Sequence, residues 1–533
     1  MRRRAFIGQS FAASLGCLIV PRTLLAQNQP IVETSQGRVR GITNQAGIHV
    51  FKGLRYGAST AGSRRFLPPL TPQNWSGVQD AFDYGDRCPQ AGSRMGETAT
   101  MSDDCLRINI WSPGLDDTRR PVMLWFHGGG FESGSGQSPR YEGTNLARRG
   151  DVVVATINHR LNVYGHCYLG GILGEEFAQS GNAGYLDLIA SMKWVKENIA
   201  AFGGDPNNIT IFGQSGGGRK VSLCYAGDDA QGLYQRGIIQ SGSHLLVKRQ
   251  EEAHQLTEIL LQELGIDRNN ARRLQNVDIN TLSTAQRKVA RENGTRFSPM
   301  LDGVTFSAQP WLPNAPDASR TVPMMLGTTR TELTNQLGGE AGIFDMDESQ
   351  AKERLTRFLN AEDIDVAWEI FQNSRPQANP SEVFFTIASA RGYRLDQTLM
   401  AEQRVKQIGA GNTYVYRLMW RQPVEGGRRV SQHSLCIPFV FDNVGVVPDV
   451  TGPETDSTRA MADSMANTWI AFARSGDPNN SSIPEWSPYD LQNRNTMLFD
   501  DPSRAVNDPH QAEREFLAAY ETQQIGGLSL HRR

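Results

Sequence analysis

Ser215 lies in the pattern Gly213-Gln214-Ser215-Gly216-Gly217, after the apolar run ITIFG (209–213) and before a helix-forming stretch. A serine between glycines at a strand-to-helix turn is placed for nucleophilic attack. The turn is too tight for neighbouring Cβ atoms, and it lifts the hydroxyl clear of the sheet. The first N–H groups of the following helix have no intrahelical partner and point to the same place. Alone, the pattern carries little weight in a chain with 53 glycines; its companions give it weight. Upstream, His127-Gly128-Gly129-Gly130-Phe131 directly follows the apolar run PVMLWFH (121–127). Such a loop offers backbone N–H donors to a developing oxyanion. Gly129, Gly130 and Gly216 are the expected donors, each worth about 3–4 kcal/mol in the barrier.

A serine hydroxyl needs a base to take its proton, and the base needs an orienting acid. With this strand–Ser–helix turn the partners follow in the order acid, then histidine, each just beyond a strand. Glu332 follows VPMMLG (322–327), and His433 follows TYVYRLM (413–419). Spacing leaves rivals: His244 and His254 are nearer Ser215 but precede Glu332, and Asp302 and Glu340 are alternative acids. No H-E-x-x-H, paired C-x-x-C or P-loop is present, so neither a metal nor a cofactor is expected.

The elements that must position these residues alternate in type. Buried strands are predicted at 121–127, 151–157, 209–213, 236–240, 322–327 and 413–419, as apolar runs bounded by turns. Leu188, Met192, Val195, Ile199 and Phe202 recur at helical spacing, and GGDPNN (203–208) ends that helix. Residues 344–409 turn helical and charged, with Ala351, Leu355 and Phe358 on one face; they read as an insertion on the same core. The pattern is that of an α/β protein with a single domain over 27–533.

Residues 1–26 stand apart: basic residues, a short apolar stretch and Ala26, too short to span a bilayer. Arg3-Arg4 gives it the form of a twin-arginine signal, which predicts an exported protein, periplasmic or secreted, without a membrane anchor. A net charge of −2 points to no nucleic-acid or anionic-membrane partner. Nothing in the sequence specifies an oligomeric state. Of the five cysteines left after the signal, Cys88 and Cys105 flank a polar loop and are expected to pair; Cys167, Cys224 and Cys436 remain.

From about residue 36 to 502 the chain resembles the type-B carboxylesterases, the α/β-hydrolase group that includes cholinesterases and neuroligins. The motifs are FKGLRYG, RRFLPP, WSGVQDAFDYGDRCPQ, DDCLRINIWSP, HGGGF, GNAGYLDLIASMKWVKENIAAFGGDPNNITIFGQSGGG, VPMMLGTTRTE and HSLCIPFVF. The resemblance implies an α/β-hydrolase fold: a large, mixed, mostly parallel sheet flanked by helices, with a helical insertion after the acid-bearing strand. It implies a serine carboxylic ester hydrolase working through an acyl-enzyme on small-molecule esters. Ser215 would be nucleophile, Glu332 acid and His433 base, with Gly129, Gly130 and Gly216 as oxyanion hole and a Cys88–Cys105 bridge. Alternatives within the same fold are an adhesion-type binding protein, or a hydrolase or acyltransferase acting on amides or thioesters; the intact serine argues against the first. The chain departs from the family's usual residues at Gln214 (usually Glu), Gly216 (usually Ala), Cys436 (usually acidic), Arg107 and His159 (usually aromatic). The loop between Cys88 and Cys105 has no tryptophan, which disfavours choline esters.

Overall fold

The computed structural model describes residues 29–91, 100–409 and 411–524; the expected signal segment lies outside them. Fourteen strands occur among the described residues: β1 (Ile31–Thr34), β2 (Gly37–Arg40), β3 (Ile42–Thr43), β4 (His49–Arg55), β5 (Val78–Asp80), β6 (Arg107–Ser112), β7 (Arg120–Phe126), β8 (Val153–Ile157), β9 (Gly204–Gln214), β10 (Arg236–Gln240), β11 (Met324–Thr329), β12 (Thr413–Leu418), β13 (Asn495–Phe499) and β14 (Arg504–Asn507). β1, β2 and β5 make a small sheet. The other eleven form one sheet in the order β14-β13-β12-β11-β10-β9-β7-β8-β6-β4-β3. Neighbours run parallel from β8 across to β13, and β14, β6, β4 and β3 add antiparallel edges.

Alternation within each strand feeds two hydrophobic layers. In β7, Val122, Leu124 and Phe126 face one layer while Met123 and Trp125 face the other, all fully buried. Ile209 and Ile211 of β9 oppose Phe212 in the same way. The first layer takes the helix Ala183–Asn198 and its 3-10 extension through Leu188, Met192, Val195, Ile199 and Phe202. The second takes the helix Asp456–Ser475 through Met461, Met465, Trp469 and Phe472. Each such side chain contributes about 1.5–3 kcal/mol on burial.

All six predicted strands are present; most ends shift by one or two residues, and β9 differs by more. β9 starts at Gly204, not Ile209, because the GGDPNN stretch also pairs with the start of β7, Arg120 opposite Gly204. The insertion after β11 is helical as expected, with helices Glu348–Leu355, Ile364–Asn373, Pro380–Ser389 and Leu395–Ile408. It builds a hydrophobic cluster of its own around Leu355, Trp368, Phe371, Phe384 and Phe385, because these helices bury their faces on one another. Leu399 packs against both this cluster and the first layer of the sheet.

The expected Cys88–Cys105 bridge is not formed. Both are free, buried thiols, and the Leu161 N–H donates to Cys88 Sγ at 3.2 Å. Cys167, Cys224 and Cys436 are also free and buried. No helix among the described residues is long and apolar enough to cross a membrane.

The chain places β8 on one side of β7 and β9 on the other, so the sheet's direction of growth reverses between β7 and β9. A crevice opens at such a reversal, outside the C-terminal ends of the strands. The segments that follow β7, β9, β11 and β12 carry the residues singled out above.

Candidate active site

β9 ends at Gln214 and the helix Gly216–Ala226 begins two residues on, so Ser215 alone makes the turn. It does so at φ 57° and ψ −122°, a conformation that costs a residue with a Cβ about 1–3 kcal/mol. The surroundings hold it there. Ser215 N–H donates to Gln240 O at 2.8 Å, and Ser215 O accepts from Arg219 N–H at 3.0 Å. A β-carbon at position 217 would sit 1.9 Å from Phe126 O, so the start of the helix lies directly on the end of β7.

The loop after β7 is pressed against the same turn. O, N and Cα of Gly130 lie 2.2–2.5 Å from where a β-carbon of residue 216 would be. Gly129 and Gly130 turn at φ 92° and 64°. Three buried side chains fix the loop: Gln90 accepts from Gly134 N–H at 2.6 Å, Asn162 donates to Glu132 O at 3.1 Å, and Lys220 Nζ donates to His127 O at 2.9 Å. No hydrogen bond between described residues uses the N–H of Gly129, Gly130 or Gly216. Those donors are free for a ligand atom.

Glu332 and His433 meet. Glu332, with no exposed surface, receives Thr329 N–H on Oε1 at 2.7 Å and faces His433 Nδ1 with Oε2 at 2.5 Å. The two loops are joined beside this contact. Thr331 bridges to Gln432, its hydroxyl donates to Arg429 O at 2.8 Å, and it accepts from Ser431 N–H at 2.9 Å. The Tyr393 ring, from the helical insertion, lies 5.2 Å from the imidazole.

No hydrogen bond joins Ser215 to His433 among the described residues; contact with the turn runs through Gln214. Its Nε2 lies 3.2 Å from His433 Nε2 and 3.4 Å from Nδ1, and its Oε1 accepts from the Ser434 hydroxyl at 3.0 Å. A donor on the lone-pair axis of Nε2 would be much farther from Nδ1. Being almost equidistant from the two ring nitrogens, the amide does not lie on that axis. Such contacts are often long in unliganded enzymes and tighten with substrate.

The rivals are spoken for elsewhere. Asp302 caps a turn through the N–H groups of Val304, Thr305 and Phe306. Glu340 pairs with Arg354 and Arg357. His254 pairs with Glu258 on its own helix at 3.4 Å. His244 packs on Phe131, with ring centres 5.4 Å apart. The unusual residues also acquire reasons. His159 stacks on His127 at 4.8 Å, and burial, with Lys220 behind it, keeps both rings well below the ordinary histidine range. Burial raises the Cys436 thiol to about 12, so a neutral group stands near Glu332. Arg107 pairs with Asp104 at 3.1 Å.

Arg219 and Lys220 escaped the sequence reading. Lys220 is 1% exposed and has no ion-pair partner among the described residues; burial, then Arg219, push its ammonium well below the ordinary lysine range. A signal existed for Arg219: a cation at the end of the first turn of a helix opposes its dipole.

A strained serine beside free main-chain donors, with a carboxylate–imidazole pair at the same sheet edge, is the apparatus of serine hydrolases. The sequence profile of the carboxylesterase family matches residues 28–517. The chain belongs to that family. The para-nitrobenzyl esterase of Bacillus subtilis (strain 168) is 32% identical over 501 residues, which is 91% of this chain and 98% of that protein. A carboxylesterase of Geobacillus stearothermophilus, solved at pH 6.2, is 35% identical with a TM-score of 0.80, over 91% of this chain and 99% of its own. An esterase from Clostridium hathewayi, described as hydrolysing aliphatic aromatic polyesters, is 31% identical with a TM-score of 0.80, covering 92% and 98%. This carboxylesterase is accordingly a serine carboxylic ester hydrolase of the α/β-hydrolase fold.

Proposed function

We propose that hydrolysis of small-molecule esters proceeds through Ser215, His433 and Glu332. Ser215 Oγ attacks the ester carbonyl carbon as its proton passes to His433 Nε2. The charge on the carbonyl oxygen is met by the N–H groups of Gly129, Gly130 and Gly216. The tetrahedral species collapses, the C–O bond to the alcohol breaks, and His433 returns the proton to the departing oxygen. Water then attacks the acyl-serine, gives a proton to His433 and releases the acid; the proton goes back to Ser215 Oγ. Glu332 holds Nδ1–H throughout and stabilises the imidazolium.

The observation that carries this reading is the 2.5 Å Glu332–His433 contact beside a serine forced to positive φ. Replacing Ser215 by Ala is expected to lower kcat on p-nitrophenyl acetate by about 10⁴-fold or more. A purified, folded Ser215→Ala enzyme as active as the parent would end the assignment. The basic, apolar and small-residue succession of residues 1–26 supports export of this activity out of the cytoplasm.

A further inference from the structure

Arg219 occupies the first turn after the nucleophile and keeps 8% of its surface accessible. Its Nε is enclosed with no hydrogen-bond partner, and no ion pair among the described residues includes it. The groups that feel its charge come from elements around the Ser215 turn. Tyr393, which packs against the His433 ring, is one of them. Glu132, in the loop after β7, and Arg296 are two more. Arg296 Nη1 comes within 3.6 Å of the β-position of Gly130, and Arg296 pairs with Glu132 at 2.9 Å. His244, which packs on Phe131 of the same loop, also feels Arg219. Arg219 lies four residues after Ser215, on the same side of the helix, and a helical Cα–Cβ bond tilts back towards the N-terminus, here the Ser215 turn. Two acids are within electrostatic reach. Glu132 is committed to Arg296, and burial raises Asp396 to about 7, which leaves much of it neutral at ordinary pH.

Enclosing a cation without a partner costs several kcal/mol, which a ligand carboxylate would offset. A guanidinium presents a planar fork that matches a carboxylate in two parallel hydrogen bonds. Arg219 is one helical turn, about 6 Å along the axis, from Ser215, and its own side chain extends the reach. A carboxylate a few bonds from the scissile carbonyl falls within range.

We propose that this carboxylesterase takes esters that carry a free carboxylate, such as monoesters of short dicarboxylic acids, and that Arg219 binds that carboxylate. The proposal rests on the esterase reading above. The test compares p-nitrophenyl hemiglutarate with p-nitrophenyl valerate, corrected for spontaneous hydrolysis, and 4-acetoxybenzoate with phenyl acetate. The first pair places the charge on the acyl side and the second on the alcohol side. In at least one pair the parent is expected to favour the anionic ester by about tenfold or more in kcat/KM at low salt, with the preference shrinking as salt rises. Arg219→Gln is expected to collapse that ratio, and Arg219→Lys to retain part of it.

A parent that hydrolyses the neutral esters well but prefers neither anionic one overturns this inference and leaves the esterase reading intact. A parent that hydrolyses none of the four removes both. Equal loss on charged and neutral esters in Arg219→Lys also overturns it, since the role would then be structural. Should Arg219→Gln not fold, competitive inhibition of valerate hydrolysis by glutarate, strong in the parent and weak in Arg219→Lys, decides the matter. Equal inhibition of the two enzymes overturns the proposal.

Discussion

Lys220 is placed where burial opposes a cation, with the Arg219 charge beside it adding to the opposition. Its hydrogen bond to His127 O fastens the first residue of the oxyanion loop. Displacing that loop by about 1 Å is enough to cost up to 10²-fold in rate. Lys220→Met is therefore expected to lower kcat on a neutral p-nitrophenyl ester by about tenfold or more with KM little changed. It should weaken binding of a trifluoromethyl ketone transition-state analogue in parallel. A variant that loses melting temperature alone, with kcat and analogue affinity retained, would show that Lys220 does not position the loop. Ser215, Gly129, Gly130, Gly216, Glu332 and His433 were legible in the sequence because each directly follows a strand or lies within a motif. Arg219, Lys220 and the Gln214–His433 contact were not, since nothing in residue type alone says which way a long side chain turns.

At the level of elements, the C-terminal helix Gln511–Leu517 is tied to the helical insertion by a buried carboxylate. Glu513 has no exposed surface and contacts Arg375 at 2.5 Å and Arg394 at 2.7 Å. Burial would raise its pKa, yet the two guanidinium groups hold it well below the usual carboxylate range. A carboxylate whose folded pKa is depressed stabilises the fold above its unfolded value of about 4.5. That stability is lost as pH falls towards the folded value. Glu513→Gln is expected to cost about 3–5 kcal/mol at pH 7, because it leaves two arginines without their anion. The deficit should narrow below pH ~4.5; a deficit that is constant with pH, measured by denaturant titration, would contradict the linkage. Parallel strands were legible because both faces are buried and the runs are continuously apolar. Their ends were less so. Gly204 joins β9 only because Arg120 of a distant segment pairs with it.

On the scale of the molecule, the fold class followed from the alternation of strand and helix, but the layering of the insertion did not. Helical periodicity shows that a face is buried and not against what. Leu399, common to the sheet core and the insertion's cluster, supports our reading of 27–533 as one domain. Export is not decided by packing. The proposed export rests on residues 1–26, and it predicts that the protein recovered outside the cytoplasm begins at Gln27. Arg3→Lys with Arg4→Lys should leave a full-length precursor inside; undiminished export of that variant would rule out the twin-arginine route.

The contact between position 216 and Gly130 ties two distant stretches of sequence into a joint inheritance. A methyl at 216 and the present path of the loop exclude each other, so neither can drift without the other. A graft of this loop onto a relative that carries alanine there would bring an incompatibility along with the catalytic donors, and a directed-evolution library should vary both stretches together.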